Sequence, residues 1–293
     1  MFNDITSKSL QLNDKKLSTT LDMALEAAKS GARILQYYFH NLQKLIVHNK
    51  NDNDLFSQAD KESEREIIDT LTIAGNEYSV VTEESGGNIG KVATWYIDPL
   101  DGSTNFIHGI PHYSISIALV AHAGTFINEI KLEKDTPIVG VIHDPSRNET
   151  FAAILGHGAL LNGRQIKCSN TEYLNKSIVS TGLPYNNCLY HEKQMKILKD
   201  MLKNTRSIRR MGSAALDLAW ISCGRYDGYW EFGLSAWDVA AGTIILREAG
   251  GICEDITNKN PWPANNGWIL AGNKSIYMDL LDMIRPKISN ITN

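Results

Sequence analysis

Asp98 and Asp101 stand three residues apart across a proline in Trp95-Tyr96-Ile97-Asp98-Pro99-Leu100-Asp101-Gly102-Ser103-Thr104-Asn105-Phe106. Pro99 fixes its own φ and pushes Asp98 into an extended conformation, so both carboxylates ride on a stiff turn. Hard oxygen ligands on a stiff turn suit Mg²⁺, which takes one or two carboxylates together with substrate phosphate oxygens. The Gly102-Ser103-Thr104 that follows offers backbone N–H groups and hydroxyls to the phosphate itself, especially if it opens a helix. An isolated D-P-x-D-G is more often just a capped turn. Here, further acids point the same way.

Val80-Val81-Thr82-Glu83-Glu84-Ser85-Gly86-Gly87 reads as a short apolar strand that ends in paired glutamates, where a side chain can reach into a cleft. Far downstream, Ser235-Ala236-Trp237-Asp238-Val239-Ala240-Ala241-Gly242 starts a helix that runs to a Gly250-Gly251 stop, with Asp238 in its first turn. Alone, Asp238 would be read as compensation of the helix dipole. Hydrolysis of a phosphate monoester needs charge neutralisation and an activated nucleophile. Two metal ions roughly 3.5–4 Å apart supply both, and such a pair needs three or four carboxylates. Glu83, Asp98, Asp101 and Asp238 are that many.

Together, W-Y-I-D-P-L-D-G-S-T-N-F and W-D-V-A-A-G followed by E-A-G-G resemble the two signature motifs of the inositol monophosphatase family. Glu83-Glu84-Ser85 lies at the family's usual place upstream, and the stretches His143–Glu149 and Arg210–Leu218 resemble its bacterial-type members. Several ordered motifs make this far more specific than one pattern. The resemblance implies a layered αβαβα sandwich with the metal site between two halves. It implies that Glu83, Asp98 and the Leu100 carbonyl hold one Mg²⁺, that Asp98, Asp101 and Asp238 hold a second, and that a third, weaker ion binds near Glu83. It also implies that Asp60 pairs with the hydroxyl of Ser103, where many members have threonine, to position the attacking water. Glu231 resembles the family glutamate that accepts inositol hydroxyls. Asp101, Asp238, the Gly102-Ser103-Thr104 backbone and the backbone around Ala214 complete the substrate contacts. The implied activity is Mg²⁺-dependent hydrolysis of inositol monophosphate, with lithium sensitivity and a homodimer. Fructose-1,6-bisphosphatase, nucleotidase and histidinol-phosphatase activities are alternatives. So is a non-catalytic role through a protein partner in transcription or ribosome maturation.

The 293 residues, 43% hydrophobic and 21% charged, suffice for a large core in one compact unit. A net charge of −4 gives no general attraction to nucleic acid, so direct nucleic-acid binding is not expected and an anionic substrate needs local cations. No membrane span or signal peptide is read, and four scattered cysteines without a C-x-x-C pair point to reduced thiols and a cytoplasmic protein.

These acids need elements to hold them. Apolar spacing predicts helices over 21–39 and 57–71, then strands at 78–82, 94–97, 113–121, 138–143 and 149–155. Asn162-Gly163 marks a hairpin. Beyond it, strands at 177–181, 206–209, 226–232, 252–256 and 268–271 alternate with helices at 190–203, 213–222, 236–249 and 275–285. The chain therefore reads as an α+β half, 1–165, followed by an α/β half, 166–293. Gly86 to Lys91 is expected to be a mobile flap rather than a phosphate loop, since Val92 stands where Ser or Thr would be needed. Arg209 and Arg210 could aid phosphate binding, but two arginines at a strand end are more often surface charges. His108 and His112 are broken apart by Gly109 and Pro111 and are not read as metal ligands.

Overall fold

In a computed structural model that describes residues 11–51, 54–183, 188–257 and 268–288, the short strand β1 (Gln11–Leu12) precedes helix α1 (Asp14–Phe39). Asn13 caps α1 by accepting from the Lys16 N–H at 3.0 Å, which starts the helix a full two turns before the periodicity does. Strands β2 (Val47–Asn51) and β3 (Asp54–Ser57) pair antiparallel and lead into α2 (Gln58–Ile73), capped by Ser57. Then come β4 (Ser79–Thr82), β5 (Gly86–Gly87), β6 (Ala93–Asp101), the five-residue helix α3 (Ser103–Ile107) and β7 (Ser114–Ala121). Strands β8 (Phe126–Ile127), β9 (Ile130–Lys131), β10 (Thr136–Asp144), β11 (Glu149–Ile154), β12 (Ala159–Leu161) and β13 (Arg164–Ile166) finish the first half of the chain. The β12–β13 turn is the expected hairpin, with φ of 48° at Asn162 and 76° at Gly163. The second half carries β14 (Ile178–Thr181), α4 (Cys188–Asn204), β15 (Ser207–Arg209), α5 (Ala214–Ser222), β16 (Gly228–Phe232), α6 (Ala236–Glu248), β17 (Ile252–Asp255), β18 (Trp268–Gly272) and α7 (Lys274–Ile288).

Among the described residues, β13-β12-β11-β10-β7-β6-β4-β5 form an eight-stranded sheet and β15-β14-β16-β18-β17 a five-stranded one. The two sheets and three helix layers stack as the expected αβαβα sandwich, with a hydrophobic cluster in each gap. Trp95 and Ile97 of β6 point toward α1 and α2, where they meet Leu35 and Ile67. Tyr96 points the other way and joins Leu218 of α5, Ile245 of α6 and Tyr229 of β16. Beyond the second sheet, Trp230 and Leu270 pack on Ile197 of α4 and Leu280 of α7. No helix among the described residues is long and apolar enough to cross a membrane.

Two local departures bear on function. Strand β6 does not stop at Ile97: it continues to Asp101, with a register shift between Asp98 and Asp101 against β7. Pro99 lacks an N–H to donate, so it is accommodated at this irregularity rather than ending the strand. The expected flap also begins in pairing, Val81 with Gly87 and Thr82 with Gly86.

Candidate metal and phosphate site

Parallel pairing of β4 with β6 sets Thr82 opposite Ile97, and the Glu83 N–H donates to the Ile97 carbonyl at 3.2 Å. Glu83 therefore emerges beside Asp98. Asp98 is only 1% exposed and accepts from the Leu100 N–H at 2.9 Å, an Asx turn that stiffens the bulge. Across the sheet, β7 places Ser116 opposite Asp98 and Ser114 opposite Asp101. The Ser116 hydroxyl donates to the Trp237 carbonyl at 2.9 Å, which draws the first turn of α6, and with it Asp238, toward Asp98. Ser114 lies 3.3 Å from the Ser213 hydroxyl, which donates to Asp101 at 2.6 Å, while the Ala215 N–H donates to the same oxygen at 2.8 Å. Asp238 accepts from the Ser235 N–H at 2.7 Å.

Glu83, Asp98, Leu100, Asp101 and Asp238 thus face one cleft of about 160 Å³, with Gly102, Ser103 and Thr104 beside them. Gly102 has φ +91°, and a Cβ there would meet the carbonyls of His112 at 3.0 Å and Gly212 at 3.1 Å. Only glycine lets the two halves close this tightly beside the acids. Asn105 stitches the same seam, donating to His112 O at 2.7 Å and Met211 O at 2.8 Å. Arg210 lines the cleft, while Arg209 stays outside it, donating to the Ile208 carbonyl at 3.0 Å. One of the two arginines read as surface charges therefore faces the cleft.

Burial pushes the Asp98 carboxyl well above its usual range, and Glu83, Asp101 and Asp238 push it further in that order. Asp238 is raised by burial, then by Glu83 and Asp101. Asp101 rises to about 6 through burial, opposed by the Ser213 and Ala215 donors. Carboxylates that raise one another are relieved by a cation placed among them. No group of three His, Cys, Asp or Glu side chains among the described residues converges on a single ion position. That arrangement still fits Mg²⁺, which keeps several waters and needs only one or two carboxylates per ion, with substrate oxygens completing the shell. The donors are all hard oxygens, as Mg²⁺ requires.

Three expected site residues are not among those lining the cleft. Asp60 forms a capping box: one carboxylate oxygen accepts from the Ser57 N–H at 2.8 Å and the Ser57 hydroxyl at 2.6 Å. The pairing with Ser103 is not formed, because the helix N-terminus supplies nearer donors. Burial lifts the Asp60 carboxyl to about 6. Glu231 does not line the cleft, and Ala214 borders it only through its backbone, which hydrogen-bonds Asp101. Glu231 accepts from the Tyr229 hydroxyl and lies against Gly182, whose position would admit no Cβ. Sequence reasoning missed Ser114, Ser116 and Asn105. Ser114-Ile115-Ser116-Ile117 did carry a signal, two hydroxyls on alternate positions of an otherwise apolar strand.

A model of the inositol monophosphatase family matches residues 16–289. A protein of Pasteurella multocida named Nus factor SuhB is 35% identical over 276 residues, 94% of this chain and 98% of that one. The solved structure of extragenic suppressor protein SuhB from Bartonella henselae superposes with a TM-score of 0.82 at 34% identity, covering 91% of this chain and 98% of that one. Inositol monophosphatase from Anabaena (Nostoc) sp. PCC 7120 superposes with a TM-score of 0.74 at 36% identity, covering 92% and 96%. Sequence and fold agree along nearly the whole length: the chain belongs to the inositol monophosphatase family.

Proposed function

We propose that the protein is a Mg²⁺-dependent phosphatase of small phosphorylated polyols, inositol monophosphate first among them, acting in the cytoplasm as a homodimer. The observation that carries this reading is the convergence of Glu83, Asp98, Asp101 and Asp238 on one cleft floored by Gly102-Ser103-Thr104. In it, Glu83, Asp98 and the Leu100 carbonyl would hold one ion, and Asp98, Asp101 and Asp238, which do not converge on one point in the metal-free fold, would close on a second. When bound, Mg²⁺ supplies Lewis acidity at the phosphate and lowers the pKa of water. The N–H groups of Gly102 to Thr104 orient the phosphate, and Arg210 adds a cation beside it. Ser103, which lines the cleft, would orient the attacking water, and Asp60, held by Ser57 in the metal-free fold, would have to reach it through its second oxygen. With one Asp60 oxygen committed to Ser57, proton acceptance falls to the other, and a carboxyl near 6 is well matched to that task. Glu231 and the Ala214 backbone read the polyol beyond the cleft rim.

Phosphate release from inositol 1-phosphate, a sugar bisphosphate, a 3′-phosphoadenosine nucleotide and histidinol phosphate, with and without Mg²⁺, tests the reading. The inositol ester should be turned over fastest, and only with Mg²⁺. No Mg²⁺-dependent release from any of them would sink it. The relatives named Nus factor SuhB favour a second role, through a protein partner in transcription. A pull-down that succeeds with both wild type and Asp98→Asn would separate that role from catalysis.

A further inference from the structure

Helix α2 contributes no side chain to the cleft lining, yet two consecutive residues on it hold both acid-bearing segments. The Ser63 hydroxyl donates at 3.1 Å to the Pro99 carbonyl, inside the bulge between Asp98 and Asp101. Glu64, 3% exposed, accepts from the Glu84 N–H at 3.1 Å and from the Ser85 hydroxyl. Glu83 is thus gripped on both sides, by Ile97 through its own N–H and by Glu64 through its two successors. The helix cannot retreat from this position. A Cβ on Gly31 of α1 would come within 2.8 Å of the Ser63 hydroxyl and of Ile67, so the two helices touch at that level.

Burying a carboxylate is costly unless donors compensate it, and those of Glu64 come from the turn that follows Glu83. Glu83 and Glu84 are adjacent and alike in charge. Fixing the Glu84 N–H decides which of the two faces Asp98. We propose that Glu64 is a positioning residue: it latches the 83–85 turn so that the Glu83 carboxylate faces the cleft, and thereby sets the site's affinity for a divalent cation. This deepens the phosphatase reading and rests on it.

The test compares full-length wild type, Glu64→Gln, Ser85→Ala and the double variant. Glutamine keeps one acceptor for the Glu84 N–H and turns the other into a donor that the Ser85 hydroxyl must accept from, so both bonds lose the carboxylate's charge. Hydrogen exchange of the metal-free protein should show the 83–85 amides opening roughly tenfold faster in Glu64→Gln. Mn²⁺ binding, followed by the resonance of the free ion, should weaken about tenfold, as when a ligand's outer hydrogen-bond partner is lost. The double variant should bind no more weakly than Glu64→Gln alone, because both changes break the same latch. Glu62→Gln is the control for general damage to α2, since Glu62 bonds Tyr38 and Gln58 and touches neither segment. Unchanged exchange, unchanged Mn²⁺ affinity despite faster exchange, or an equal loss in Glu62→Gln would each overturn the proposal. A wild type that binds no Mn²⁺ would refute the phosphatase reading and the affinity half of the proposal, and exchange would still decide whether Glu64 holds the turn.

Discussion

Asp98 sits buried where three other acids act on it, so its charge is costly in the metal-free fold. Asparagine keeps the oxygen that accepts from Leu100 and removes the repulsion. Asp98→Asn should therefore melt higher than wild type without metal, by about 2–4 °C if the relief is near 1 kcal/mol in a chain of this size. Mg²⁺ should raise the midpoint of the wild type only, and turnover should be lost; equal activity at saturating Mg²⁺ would exclude Asp98 as a ligand. His112 makes a different electrostatic demand. Its side chain is 2% exposed, neither ring nitrogen has a hydrogen-bond partner among the described residues, and the ring stands edge-on to Trp220. Burial, aided by Arg147, lowers its pKa to about 4. The unfolded chain takes up this proton near pH 6.5, as an unperturbed histidine does, and the folded one only near 4. Between those values the unfolded state binds more protons, so stability falls as pH drops through the window, by up to about 3 kcal/mol from this residue. His112→Phe should match wild type at pH 7.5 and gain on it steadily toward pH 4 in urea titrations. Parallel stability curves would show that the ring is charged or solvated in the fold.

At the scale of elements, the link between β7 and α6 brings Asp238 to the other acids. Ser116→Ala removes the hydroxyl that ties the Trp237 carbonyl to β7, while that carbonyl keeps its place in the helical ladder of α6. The expected cost is about 0.5–1.5 kcal/mol in unfolding free energy. Mg²⁺ affinity should weaken with it, because the first turn of α6 loosens; an unchanged Mg²⁺ midpoint would mean that helix packing alone places Asp238. That packing is close, since a Cβ on Gly140 of β10 would stand 2.5 Å from Ile244. The long helices and central strands were legible because each presents a sustained apolar period. Helix α3 and the strand pairs β2–β3 and β8–β9 were not, being too short for periodicity to register. Asp98, Asp101 and Asp238 were legible as acids at element ends. The partner of Asp60 was not, because the choice between Ser57 and Ser103 depends on which donor the folded chain brings nearer. Glu64 was hidden for the opposite reason: in the middle of a charged helix, nothing local marks which carboxylate turns inward.

Taken whole, the molecule puts its acids at the junction of two layers that come from different parts of the chain. The eight-stranded sheet supplies Glu83, Asp98 and Asp101, while the helix layer behind it supplies Asp238 and the Ser213 and Ala215 donors to Asp101. Without a cation, the junction is held by hydrogen bonds such as those of Ser116 and Asn105 while its acids repel across it. Binding there should couple the layers. A ligand at a hundred times its dissociation constant stabilises the native state by about 2.7 kcal/mol, provided the unfolded chain does not bind it. If the second ion position bridges the junction, Mg²⁺ should slow hydrogen exchange at once in 81–101, 212–216 and 235–241. Helices α4 and α7, on the far face of the second sheet, should change only as global stability changes. Asp238→Asn should keep the protection in 81–101 in part and lose it in 235–241. Protection confined to 81–101 in the wild type would show that Asp238 is not a ligand, and that any metal site belongs to the first half of the chain alone.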